Sequence, residues 1–250
     1  MSSARPPQHI ILQGLTGSGK SSFIVTAPKP SLVYVFDAIG KDTPYLKAGP
    51  YTESRDEFGT RVVEVQAPDG RLRLEYYNDL DPLRSNAWER FRYRHQTRAF
   101  LDEGFVSLSF DSVSNCELLA RYYEMWVINP QAKDPRKWFG ASTDRMEEAL
   151  IVWTIDLPIN IVLSCHISQE RNEAEGTVLR VPAVPGRLAA KGLLPACYSE
   201  LYRTYVTAQA DGSSAYIMQT RSDNNYFCTT QINAPNPCWN NWESLWENWR

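Results

Sequence analysis

The stretch HIILQGLTGSGKSSFIV, residues 9–25, decides how this chain is read. Within it Gly14-Leu15-Thr16-Gly17-Ser18-Gly19-Lys20-Ser21 matches GxxxxGK[ST] at every fixed position, directly after an apolar run and before a helical pattern. The chemistry accounts for the spacing. Glycines let the backbone curl so that successive N–H groups point at phosphate oxygens, and the helix that follows offers its N-terminal dipole. On this reading Gly14 through Ser22 cradle a nucleotide, Lys20 reaches the β- and γ-phosphates, and Ser21 sets its hydroxyl on Mg²⁺.

Working outward, apolar runs typical of buried strands recur at Ile10–Leu12, Leu32–Phe36, Phe105–Phe110 and Ile159–Cys165, each followed by polar or glycine-bearing residues and then a helical pattern. Strand-then-helix alternation predicts an α/β fold, a mostly parallel sheet with helices on both faces. A nucleotide site of this kind needs an aspartate at the tip of a second buried strand to hold Mg²⁺ through water, and Asp111 stands there. The crowd Asp111, Ser112 and Asn115 also suits a helix N-cap. The last of these runs, Ile159–Cys165, leads into His166. A polar residue there can touch the γ-phosphate and report on it, or simply cap its strand.

Two departures interrupt the alternation. The segment RVVEVQAPDGRLRLEYY, residues 61–77, has alternating runs around a Pro-Asp-Gly turn and predicts an inserted β-hairpin. Leu201–Ala208 and Ala215–Thr220 flank another turn and predict antiparallel strands at one sheet edge. Residues 1–235 then form the main domain, and 236–250 a tryptophan-rich helix or tail. On a helix Trp239, Trp242, Trp246 and Trp249 would share one stripe, against the chain's own core or against another subunit. Residues 84–98, RSNAWERFRYRHQTR, interleave arginines with aromatics, a composition that suits stacking bases while neutralising phosphates. Helical spacing also places Trp88, Phe91, His95 and Ala99 on one core-facing side, with Arg90, Arg94 and Arg98 on a solvated edge.

Composition sets the outer bounds. With 43% hydrophobic and 22% charged residues, and no apolar run long enough to cross a bilayer, the chain reads as soluble and globular. The polar, proline-rich opening MSSARPPQ lacks the apolar core of a secretory signal, so a cytoplasmic protein is expected. Five cysteines, none spaced as CxxC, predict reduced and packed thiols. A net charge of −3 excludes a surface coated in lysine for wrapping duplex DNA but leaves room for a local basic groove.

The order P-loop, LVYVFDA (32–38), Asp111-Ser112, His166 resembles the RecA-like ATPases. More narrowly, with Pro185-Gly186-Arg187-Leu188, Leu194–Tyr198 and Tyr216–Arg221, it resembles the phage single-strand annealing ATPases of the Sak type over residues 9–232. The resemblance implies a RecA-like fold, ATP and Mg²⁺ as ligands, ATP at the boundaries of a homo-oligomer, and single-stranded DNA as partner, with a phage recombination or single-strand-binding protein nearby. In that family an acidic residue lies two places after the second-strand aspartate, Asp37 here, and orients the attacking water. This chain has Ile39. Isoleucine cannot polarise water, so base assistance falls to Asp37, to Asp42, or to nothing. Relatives also have basic residues after the late strand where this chain reads Cys228-Thr-Thr-Gln231; Arg221 or Arg187 could supply a cation in trans. Loops after the third strand bind DNA in such proteins, which nominates Arg180, Arg187 and Lys191 between Gln169 and Lys191. Binding without fast cleavage is the expectation. The alternative is a phage structural or assembly protein that holds nucleotide with little hydrolysis, and a small-molecule kinase is disfavoured by the lack of an arginine-rich lid.

Overall fold

The structure, a computed structural model, describes residues 6–38, 40–78, 86–172, 177–184 and 192–246. Ile39, Arg187, Lys191 and Trp249, each singled out above, lie outside the described residues. Five parallel strands form the centre: β1 (His9–Gln13), β2 (Ser31–Val35), β6 (Ser107–Asp111), β7 (Asn160–Cys165) and β10 (Glu200–Ala208), in the order β10-β1-β7-β6-β2. The register places Gln13 beside Cys165, and Asp111 beside both Ser164 and Val35. β1, β2, β6 and β7 therefore end on one rim, where the loops converge, while β10 runs on beyond it from Arg203 to Ala208.

The strands read as unbroken apolar runs because both faces are covered. Ile10, Leu12, Val33 and Val35 point into one core with Phe23 and Ile24 of helix α1 (Lys20–Val25). Ile11, Leu32, Tyr34, Phe110 and Leu163 point into the other, against α3 (Ala87–Thr97) and α4 (Val113–Tyr123). Along α3, Trp88, Phe91 and His95 are buried as their spacing predicts, but Arg94, expected on a solvated edge, is drawn inward to pair with the buried Glu75 at 2.9 Å. Ala99 lies beyond the helix end, in a short 3-10 turn.

His95 is a core residue rather than a ligand. Its ring stacks on Phe91 and Phe100, and Nε2 lies 2.8 Å from the Thr154 hydroxyl. Burial pushes its pKa from 6.5 down to about 4. The unfolded chain then binds a proton that the fold excludes, so stability is lost as pH falls from 6.5 to about 4. The loss amounts to about 3 kcal/mol at the acid end. Urea midpoints measured across this range should fall in the wild type and fall less in His95→Gln.

The predicted hairpin is present as β4 (Arg61–Ala67) and β5 (Gly70–Tyr76), but it joins the main sheet, with β5 parallel to β2. A further strand, β3 (Tyr51–Arg55), adds antiparallel to β4. The late pair corrects the expectation in part. β10 is a central strand parallel to β1, and only β11 (Ser214–Gln219) is antiparallel. The segment after β7 was expected to be a loop; Ile167–Asn172 (β8) and Thr177–Pro182 (β9) instead pair as a two-stranded ribbon.

Nor do the tryptophans share one helix. Trp239 belongs to β12 (Cys238–Trp239), paired with Ile217 at the sheet edge, and is 57% exposed. Trp242, at the start of a short helix (Trp242–Trp246), is buried against Phe23 with ring centroids 5.6 Å apart. The tail thereby seats one indole on the chain's own core, behind the P-loop helix. No helix among the described residues is long and apolar enough to cross a membrane.

Candidate nucleotide site

The backbone of the P-loop is shaped by close approach. A Cβ on Gly14 would lie 2.2 Å from Ser18 Oγ and 2.5 Å from Thr204 Oγ1, the two hydroxyls being bonded to each other at 2.8 Å. Gly19 has φ +94°, and a Cβ there would lie 2.6 Å from the Tyr216 ring and 2.7 Å from Asn240 Nδ2. Only glycine serves at that position. Asn240 also donates to the Gly19 carbonyl at 2.8 Å, so the C-terminal segment clips the loop from outside.

Lys20 folds back under the loop and donates to the carbonyls of Gly14 at 2.7 Å and Leu15 at 2.9 Å. Burial lowers its pKa below the ordinary lysine value, and the nearby Asp111 carboxylate opposes that shift. The ammonium is therefore a scarcely hydrated cation held at the mouth of the loop.

Asp111, the last residue of β6, is 5% exposed and accepts from three hydroxyls: Ser21 at 2.8 Å and Tyr45 at 2.6 Å on Oδ2, and Ser164 at 2.8 Å on Oδ1. Backbone register brings Ser164 to it, because β7 runs beside β6. Asp111 thus does not cap α4 through its side chain; the extended residue preceding that helix is Ser112.

Asp37 stands across the cavity. Its Oδ1 accepts from Ser112 Oγ at 2.9 Å and from Asn115 Nδ2, and Lys41 Nζ lies 3.6 Å from Oδ2. Asp42, the other candidate base, turns away: it accepts from the Tyr76 hydroxyl at 2.7 Å, lies 3.5 Å from Arg61 Nη1, and does not line the cavity. His166 does line it. Burial, then the charge of Lys20, lowers its pKa, which keeps the imidazole neutral near pH 7.

These groups enclose about 200 Å³, lined by Thr16 to Ser22, Asp37, Lys41, Pro44, Asp111, Ser112, His166 and Tyr216. The chain thus gathers Lys20, Ser21, Ser22, Asp37, Asp111 and His166 in one place. It does not bring Arg180 or Arg221 there. Arg180 lies on β9 with its guanidinium 5.2 Å from the Tyr226 ring centroid, and Arg221 is exposed and donates to Asn233 at 3.1 Å. Sequence reasoning missed Tyr45, Ser164, Lys41, Tyr216 and Asn240. Asn115 alone had a local signal, four residues past Asp111 at the start of a helix.

The donor set fits a triphosphate with its magnesium ion. A curled backbone and a desolvated lysine suit the phosphates, and a serine hydroxyl bonded to a buried carboxylate is the oxygen-rich pair that Mg²⁺ takes. Ser21 and Asp111 would hold the metal. When bound, it supplies positive charge to the terminal phosphates.

One parallel strand, β7, separates the P-loop strand from the strand that ends in Asp111, and β10 flanks the P-loop strand on its other side. This strand order agrees with the RecA-like fold that the sequence resemblance implies. No protein-family model and no curated protein matches the chain. Among solved structures, the flagellar accessory protein FlaH of Methanocaldococcus jannaschii is similar at TM-score 0.42 and 14% identity, covering 90% of this chain and 82% of that one. A KaiC-like protein of the archaeon Pyrococcus horikoshii is similar at 0.39 and 11%, covering 87% and 79%. An ATPase of the type III secretion system of pathogenic bacteria is similar at 0.42 and 13%, covering 83% of this chain and 53% of that one. Likeness at this level assigns no activity and no residue role.

Proposed function

We propose that the chain binds MgATP, hydrolyses it slowly, and uses the bound nucleotide to assemble copies of itself on single-stranded DNA, in the manner of a phage annealing or recombination ATPase. The observation that carries the nucleotide reading is the 2.8 Å bond from Ser21 to Asp111 beside the buried Lys20, joining residues 90 positions apart in sequence. Slow turnover is supported by Asp37. Two donors occupy Oδ1 and an ammonium faces Oδ2, so the carboxylate's hydrogen-bonding positions are largely taken up by the chain itself rather than left to orient an attacking water. The DNA partner rests on the sequence resemblance and on Arg180, carried on the ribbon that leaves β7.

Phosphate release measured with and without single-stranded DNA tests this. Basal release should be slow and should rise about tenfold or more when DNA-driven assembly supplies a cation in trans. Rapid release without DNA would contradict it. The environment of Asp37 also favours a second reading, an assembly protein that keeps its nucleotide; oligomers that form with ATP and ignore DNA would decide for that one.

A further inference from the structure

Tyr45 carries no motif and no periodicity that marks it, yet it reaches the centre of the site. It belongs to the short helix α2 (Thr43–Leu46), is fully buried, and donates its hydroxyl to Asp111 Oδ2 at 2.6 Å. Ser21 shares that oxygen at 2.8 Å, and Ser164 holds Oδ1 at 2.8 Å. A carboxylate offers about four lone-pair directions. Three hydroxyl donors therefore leave about one direction open for a further donor, such as a water on a metal ion.

We propose that Tyr45 is a positioning residue for the metal site: its hydroxyl fixes the plane of the Asp111 carboxylate facing Ser21, so that Mg²⁺ affinity, but not the phosphate cradle, depends on it. The proposal rests on the nucleotide reading given above. Tyr45 touches the carboxylate and none of the P-loop carbonyls that Lys20 engages. Its helix is in turn braced from the sheet. Asp42, which precedes α2, accepts from Tyr76 at 2.7 Å and faces Arg61, whose guanidinium lies 4.2 Å over the Tyr76 ring. Both residues come from the β4–β5 hairpin, so the added strands support the helix that supports the metal carboxylate. Partners that orient a metal ligand without touching the metal commonly cost 10–100-fold in metal affinity when removed.

The test is calorimetric titration of ATP into the full chain and its Tyr45→Phe variant, in a series of MgCl₂ concentrations and in EDTA. In the variant the Mg²⁺ concentration that half-restores tight ATP binding should rise about tenfold, while affinity in EDTA stays at the wild-type value. An unchanged Mg²⁺ dependence overturns the proposal. So does an equal loss in EDTA and in Mg²⁺, which is what a merely structural tyrosine would give. Wild-type chain that binds no ATP in either buffer removes the nucleotide reading itself, a result distinct from both. Tyr76→Phe leaves Tyr45 in place and loosens its brace; a shift of about threefold in the same direction is expected. Should Tyr45→Phe not fold, the absence of any shift in Tyr76→Phe overturns the proposal.

Discussion

Replacing Lys20 by alanine is expected to weaken ATP binding by about 100-fold or more while leaving the fold as stable as before. The two effects have one cause. Lys20 is 7% exposed, and burial pushes its pKa below the usual lysine range, so the chain holds an incompletely hydrated cation whose partners are two backbone carbonyls. Such a cation contributes little to folding, because desolvation offsets what the hydrogen bonds give. Toward a phosphate the balance reverses, since charge-assisted bonds to an anion in a poorly hydrated site are worth about 1.5–3 kcal/mol each. The melting temperature of Lys20→Ala should stay within about 4 °C of wild type, the shift expected for 1 kcal/mol in a domain of this size. Calorimetry and thermal unfolding on the same preparation check both halves, and a variant that loses stability in step with affinity would show that the lysine is structural.

The second large effect is expected from Asp111→Asn. The substitution keeps the side chain's shape but removes the charge on which the hydroxyls of Ser21, Tyr45 and Ser164 converge. Hydroxyls can reorient to accept from an amide as readily as they donate to a carboxylate, so folding should survive. The metal should not. Mg²⁺ would lose the negative charge that holds its waters, and the Mg²⁺-dependent gain in ATP affinity should fall about 100-fold, with phosphate release falling at least as far. Asp111 also favours the charged form of Lys20, so removing it lowers that lysine's pKa further and makes residual binding weaken at high pH. A variant whose ATP affinity still rises with Mg²⁺ as in the wild type would place the metal elsewhere.

How far the site could be read in the sequence follows from how it is built. The P-loop is contiguous, and each of its residue types answers a local demand, so Gly14 through Ser22 were legible as a unit. Asp111 was legible because a buried strand ending in a carboxylate is an unusual local pattern. Tyr45 and Ser164 were not. Each reaches Asp111 through tertiary register, β7 running beside β6 and α2 folding over the rim, and nothing in their neighbours' periodicity encodes that. In sequence Asp42 is as eligible a base as Asp37; in the fold Tyr76 and Arg61 hold it away from the cavity.

The fold shows the same division. Core strands announce themselves as apolar runs because both faces are buried, whereas β3 reads YTESR, is exposed throughout, and has no alternation to detect. In the ribbon β8–β9, ISQERN mixes charges and TVLRVP is a short run interrupted by Arg180 and closed by a proline, so the pair passes for a loop. β10 was recognisable as a strand, but its direction was not. Side-chain alternation is alike in parallel and antiparallel strands, and only its neighbour β1 settles the matter.

The central claim is that the amides around Lys20, with Ser21 and Asp111 beside them, form a site for a magnesium-bound nucleoside triphosphate. Isothermal titration of MgATP, and of MgGTP in parallel, into the folded full chain tests it most directly. Saturable heat at one site per chain, lost in Lys20→Ala, is the predicted result; a folded wild-type chain that gives no heat with either nucleotide would contradict it.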